Sequence, residues 1–574
     1  MAVGIAARDW QLAPWLSLLA LKPGLAPGLV QWLGHGQPRA LANRLDLGWS
    51  RAHGLQALDL EFSGVGIDPA GKLPGVDRLA GHLVGDAEAL SLRLPAQAVT
   101  VSLPDLFRQP LELSRLDGSL ALWQDDAGWV LGVDALDVSA EDYAAQLRGQ
   151  LAFPQAGGAP LADLFATVDQ AKVPAAKLFW PSSMPPATMA WLDRALVAGR
   201  VEGAKVVLRG NLADWPFTHH EGRFEAHVPI HDLTLDYAPG WPRAERAEAV
   251  ADFVGSGFRA VASTAQTLGV HATLAAADIA DFANAPLELS IRGGGSGDDL
   301  MRFVRESPIG SGQRDTLDKL SLGGTGTFAM HLELPLHTDD APRLSGAVEL
   351  SDADVRAPDW NLELEQLGGP LHFDLQGIEA DRLQAGFHGR ASTLALAIGE
   401  VHSHPDTSVW VQMRGDYSLA DLVRDYPSLA WIGQGSTGSG DFRVAFSAVP
   451  AAGAAPARQQ LTIDSDLRGV ALNYPAPLQK EAPAAMPLHV VVGVPVDGAD
   501  LRVALGQVAR GRFRLAGDAP PVAGVIAFGT EMPQHLPPTG LQIRGHAQRL
   551  DVTGWVQQTA SSEGRSEERR VGKE

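Results

Sequence analysis

Few of the residues that usually carry chemistry are arranged here to perform it. His402, Ser403 and His404 put two imidazoles two residues apart, which would place both on one face of a strand as some zinc sites do. No carboxylate stands at a spacing that completes a ligand set, and Pro405 follows, so the pattern reads as a polar strand edge or turn. Thr218, His219 and His220 read as a solvated turn between strands. The run "GGGSGDD" from Gly293 to Asp299, followed by the helix-like "LMRFV", has the glycine content of a phosphate cradle. It lacks the Gly-Lys-Ser/Thr ending and the strand-helix-strand setting of one, and reads as a flexible turn. Cysteine is absent, which removes disulfides, thiolate metal sites and a cysteine nucleophile. Carboxylates are plentiful, but no pair is singled out by spacing for acid-base work. The sequence therefore offers no catalytic residue, no metal set and no cofactor site, and the expectation is a protein that is not an enzyme.

The elements that would position any site are better marked. The 574 residues are 45% hydrophobic and only 20% charged, with 62 Gly and 39 Pro as frequent punctuation. That composition suits one long repetitive structure made of short segments. A formal net charge of -21 with no basic run argues against nucleic acid as a partner. No segment supplies the roughly 18 consecutive apolar residues of a spanning helix. The best candidate, Trp10 to Leu33, is broken by Pro14, Lys22, Pro23, Gly24, Pro27 and Gly28 and reads as two short packing helices. The last ten residues, "RSEERRVGKE" from Arg565 to Glu574, resemble a translated sequencing-adapter oligonucleotide and are set apart as a non-native tail.

Between these ends the dominant signal is period two. Apolar and polar residues alternate in "SLALW" (Ser119 to Trp123), "RFEAHVPI" (Arg223 to Ile230), "LTLDY" (Leu233 to Tyr237), "TFAMHLEL" (Thr327 to Leu334) and "PLHFDL" (Pro370 to Leu375), the pattern of strands with one apolar and one wet face. A weak repeat, [LV]-x-x-L-x-G-x-L, occurs at Val76 to Leu83, Leu113 to Leu120 and Leu364 to Leu371. Its glycine is expected to carry a bend or bulge. The fold expected is mainly β: an elongated, twisted, open sheet with a few short amphipathic helices. The stretch Arg243 to Val254 has helix-forming composition, yet its context favours a strand.

One segment departs from alternation. Pro186 suits a first helical turn, Met189, Leu192 and Leu196 form an apolar stripe, and Gly199 is placed to end the helix. A helix over 184–199 is expected to act as a plug or end-cap on the sheet. The divisions that follow are a helix-containing lead-in over 1–60, sheet over 61–183, this helix, sheet over 200–564, and the tail over 565–574. The side chains expected on the apolar face are Ala204, Val206, Leu208, Phe224, Val228, Ile230, Leu371 and Phe373.

The segment "MPPATMAWLDRALVAGRVEGAKVVLRGNLADWPF" (Met184 to Phe217), followed by "GRFEAHVPIHDLTLDYAPGWP" (Gly222 to Pro242), resembles the central segment of the YhdP family of AsmA-like envelope proteins. "LPDLFRQPLELSRLDG" (Leu103 to Gly118), "ESPIG" (Glu306 to Gly310) and "IRGHAQRLDVTGWV" (Ile543 to Val556) support the match, which covers residues 1 to 560. Gly435 to Phe446 departs from it, with extra Gly and Ser where the family has a tighter turn. The resemblance implies a periplasmic protein of a Gram-negative bacterium, anchored to the inner membrane by a helix not found in this sequence, which would make the chain a central fragment. It further implies a U-shaped sheet whose groove takes phospholipid acyl chains and moves them between inner and outer membranes. Envelope protein partners are the other interaction class, through edge strands or the 184–199 helix. A β-rich enzyme acting on polysaccharide would instead need a clustered acidic cleft.

Overall fold

A computed structural model describes residues 2–19, 30, 34–71, 73–182, 184–217, 221–310, 314–338, 340–358, 362–399, 407–424, 430–451, 457–494, 499–516, 519–530 and 535–555. The chain is mainly β, with long antiparallel strands, a few short helices and no closed barrel among the described residues. It divides into two compact units, one of Met1–Gly293 with His331–Pro342 and one of Gly294–Met330 with Arg343–Glu574.

In the first unit each strand pairs with the ones before and after it, from Ala2–Gln11 to Val270–Ile279. Fourteen strands at a spacing of ~4.8 Å measure about 60 Å along the sheet. Because an up-and-down meander sends alternate connections to opposite ends, all links fall into two sets. One end carries the longer inserts, including the helices Ala13–Leu19 and Pro186–Ala195. The other end carries mostly short turns, such as those where the Asp86 and Asp125 carboxylates accept from backbone N–H groups two and three residues on. The second unit repeats this plan. Its meander runs from Arg343–Ala357 to Ala519–Phe528, which takes Gly540–Gly545 as a parallel neighbour.

The repeated motif is the bulge itself. Val99 faces Leu113 and Gln97 faces Leu116, so the two residues between the leucines oppose a single residue on the partner strand, one of them is extra, and both leucines stay on one face. Ile67/Val76 with Val65/Leu79, and Val355/Leu364 with Ala353/Leu367, repeat the arrangement. The bulge therefore lies ahead of the glycine that was expected to make it. Gly118, at φ +150, is needed for a different reason: a Cβ there would stand 2.2 Å from the Ala135 carbonyl oxygen. Bulges bend strands and strengthen their twist. The leucines beside them, Leu94, Leu113 and Leu116, are buried together with Val99 and Tyr143.

Ala244–Val254 is a strand, as its context predicts. The helix at 184–199 is shorter than expected: it covers Pro186–Ala195, and Leu196 already opens the next strand opposite Leu235. Gly199 lies inside that strand at φ +132, where the backbone of Leu233 and a methyl of Val173 come within 3.0 Å of a would-be Cβ. Close packing at a bulge, and not helix termination, selects glycine at that position. Much of 1–60 is also strand, namely Ala2–Gln11, Arg39–Ser50 and the start of Gly54–Ile67.

Candidate functional site

Cross-strand registers define the surface of interest. Ala7, Leu45, Leu60, Leu83, Leu92 and Leu120 are successive partners on successive strands. The row continues through Val133, Gly149, Leu164 and Leu208 to Phe224. A second row takes over beside it, from Leu147 through Ala166, Val206, Ala226, Phe253 and Phe258 to Ile279. Residues paired across antiparallel strands share a face. The first unit thus presents one unbroken apolar face along all these strands. Most of its larger side chains are half-buried: they are neither in open water nor under a second layer.

The expected residues fall on this face. Ala204 is buried, and Val206, Leu208, Phe224, Val228 and Ile230 are half-buried on two neighbouring strands. Val228 continues into Ala251, Ala260 and Ala277, and Ile230 into Ala249, Ala262 and Ala275. Ala260, Ala262, Ala275 and Ala277 were not singled out from sequence, because alanine carries almost no strand signal. In the second unit Leu371 pairs with Val348 and Phe373 with Ile378, which leads on to Ile398 and Val409. Both are half-buried on the corresponding apolar face.

The opposite face is a charge ladder. Thr167, Lys205, His227, Asp252, Arg259 and Asp278 follow one another across the six strands from Leu161–Lys172 to Val270–Ile279. His227 Nδ1 lies 2.7 Å from Asp252 Oδ1, and the Arg223 guanidinium grips Glu225 at 2.7 Å. That hydrogen bond holds the Glu225 carboxyl below its ordinary pKa. Charges of both signs alternate at close range along this ladder, which keeps that part of the face wet and solvated.

The Pro186–Ala195 helix is fixed by polar contacts. Arg108 donates to both Asp193 carboxylate oxygens, at 3.1 and 3.2 Å, while Trp180 Nε1 donates to Asp193 at 3.2 Å and Trp191 Nε1 to the Tyr237 carbonyl at 2.9 Å. The Arg108 hydrogen bond is the main cause of a lowered Asp193 pKa. Ala195 is the buried residue of this helix, and Met189 and Leu192 are half-buried. Leu196 belongs to the strand, as described above.

Gly293 to Ser296 end a strand and Gly297–Glu306 is a helix capped by Ser296, which accepts from the Asp299 N–H, so the glycine run is ordered sheet and not a flexible turn. His402 to His404, Thr218 to His220 and the 565–574 tail lie outside the described residues. Among the described residues no group of three or more His, Asp or Glu is placed to hold a metal, and no helix is long and apolar enough to cross a membrane.

A family model described as "YhdP protein" matches residues 2–573. The chain belongs to the YhdP family. Its segment from Met184 to Phe217, which carries the family resemblance, is in the structure the clamped helix, the Leu196–Asn211 strand and the turn after it. Among curated proteins it is similar to the "Intermembrane phospholipid transporter YhdP" of Escherichia coli (strain K12), 25% identical over 509 residues. The match covers 86% of this chain and 38% of that relative, so the YhdP-family chain described here spans well under half of the relative's length. No solved structure matches it.

Proposed function

We propose that this chain is a segment of a non-enzymatic conduit that carries phospholipid between the inner and outer membranes of a Gram-negative envelope. Acyl chains would lie on the apolar face, in the periplasm, with membrane anchoring supplied elsewhere in the full-length protein. The observation that carries this reading is the unbroken, half-buried apolar face of the first unit. The name of the curated relative supports it.

The physical need is plain. Moving an acyl chain through water costs ~0.8 kcal/mol per methylene, on the order of 10 kcal/mol for a 16-carbon chain. A continuous apolar surface removes most of that cost without any bond being made or broken. The sheet in turn has its own half-exposed leucines covered by the cargo.

The test is to place Val206→Asp and Val228→Asp in the full-length protein and follow phospholipid movement to the outer membrane in cells. The conduit reading expects passage to be lost while the protein is retained at normal abundance. Unchanged transport overturns it for this segment. A structural scaffold is the second reading, favoured by one observation: the Pro186–Ala195 helix is largely exposed yet clamped by Arg108. It expects changes on the exposed helix surface to abolish function where charges on the apolar face do not.

A further inference from the structure

The two rims of the first unit's apolar face differ in their aromatic residues. At the hairpin end, the face finishes in large exposed rings. Trp49 stands two residues beyond Leu47, Trp129 two before Leu131 and Phe153 two after Leu151, so each shares the face of its apolar row. Trp129 and Phe153 are cross-strand partners. Further along the same rim Trp215 packs edge-on against Phe224 at 5.0 Å, and Phe258 neighbours Phe253 and Phe282. Trp49, Trp129, Phe153, Trp215 and Phe282 are 43, 37, 42, 46 and 44% exposed.

The insert end treats its aromatics otherwise. Phe107 and Tyr143 each pack edge-on against Phe179. Trp180 and Trp191 spend their indole N–H groups on Asp193 and on the Tyr237 carbonyl. Trp191 and Trp15 are exposed there, but both sit on inserted helices, Trp15 against Trp10. Among the described residues, no acceptor is bound by the indole N–H of Trp49, Trp129 or Trp215.

We propose that the hairpin-end rim is an interfacial lip, at which the glycerol-ester and headgroup zone of the phospholipids rests while their acyl chains lie on the face beneath. This rests on the conduit reading above. An indole has an apolar body and one polar N–H, and it gains most where hydrocarbon meets water. A row of exposed rings along a single rim, three of them the indoles of Trp49, Trp129 and Trp215, gives the cargo a fixed orientation: ester groups at the hairpin end, chain ends towards the buried leucines near the bulges. The free indole N–H groups are then the donors that meet ester carbonyl or phosphate oxygens.

The chain has no cysteine, so one introduced cysteine can carry a fluorophore at a chosen depth. Phe153→Cys and Trp129→Cys place it on the lip, Leu147→Cys on the deeper apolar row, and Trp191→Cys on the opposite rim. Each labelled chain, with circular dichroism matching the unlabelled protein, is loaded with phosphatidylcholine carrying a nitroxide either on the headgroup or near the acyl methyl end. The lip expects headgroup nitroxide to quench at Phe153→Cys and Trp129→Cys at least about twofold more than chain-end nitroxide, the order to reverse at Leu147→Cys, and Trp191→Cys to show no headgroup preference, in keeping with the steep interfacial preference of indole. Equal quenching by both lipids at all sites shows bound but unoriented lipid and overturns the lip while leaving the conduit standing. A headgroup preference at Trp191→Cys instead places the polar zone on the wrong rim and also overturns it. No quenching at any site removes the conduit reading itself, and the lip with it.

Discussion

The two units share one sequence pattern and use it differently. In the first, the buried cluster is small, Leu94, Val99, Leu113, Leu116, Tyr143 and Ala175, and the long apolar rows beside it stay half-open. In the second, the rows are capped. Leu383, Leu394 and Met413 are register partners on an apolar row, and they belong to a buried cluster with Leu467, Val470 and Leu472 from the insert after the Arg458–Ser465 strand. That insert is pinned by the buried Lys480, whose ammonium donates to the carbonyls of Val470 at 2.6 Å, Leu467 at 2.7 Å and Glu481 at 3.0 Å. Burial lowers its pKa. The comparison teaches that alternation fixes which side chains share a face, while the connections decide whether that face is covered.

Charge placed on each surface separates the two regimes. Val470→Asp puts a carboxylate at a fully buried position, and a cost on the order of 4 kcal/mol is expected from desolvation and lost packing. Hydrogen exchange should show protection lost across the second unit and kept in the first; uniform loss would mean the units do not differ as described. Lys480→Met comes next. It removes the ammonium from the carbonyls of Leu467, Val470, Glu481 and Ala482, for about 1 to 3 kcal/mol in urea unfolding, and Leu472 and its neighbours should exchange faster. A neutral result would show that the pin is not what holds the insert.

On the half-open face the expected cost is smaller. Val206→Asp should lose about 1 to 2 kcal/mol, since water can still reach the new carboxylate, and a loss as large as that of Val470→Asp would mean that the first unit's face is packed after all. The smallest effect belongs to the helix clamp. Because the Asp193 pKa is depressed in the fold by its hydrogen bond from Arg108, its contribution is fully present above the unfolded carboxylate value of ~3.9 and is lost as pH falls through the lower folded value. Exchange protection of the Pro186–Ala195 helix should therefore hold from neutral pH to about pH 4 and decline below it. Asp193→Asn should abolish that dependence; an unchanged profile in the variant would remove the clamp from the account.

Much of this was legible in sequence, for a physical reason. Period two is a direct imprint of a one-sided sheet, and it assigned Val206, Leu208, Phe224 and Val228 to one face correctly. The helix boundary was misjudged because Leu196 satisfies both a helical stripe and the first position of a strand, and only the pairing with Leu235 decides between them. The [LV]-x-x-L bulge was read onto its glycine because glycine is the conspicuous letter, whereas the extra residue sits between two leucines. The capping of the second unit's rows could not be read at all. It depends on contacts between an insert and strands far away in the chain, and no local periodicity records such contacts.

The central claim is that the first unit's apolar face carries acyl chains. Its most direct test is lipid mass spectrometry on this chain purified from a host with a Gram-negative envelope, beside the same chain carrying Val206→Asp and Val228→Asp. The account predicts phospholipid in stoichiometric amount on the native chain and its loss from the double variant, with circular dichroism unchanged. A well-folded native chain that carries no phospholipid would contradict it.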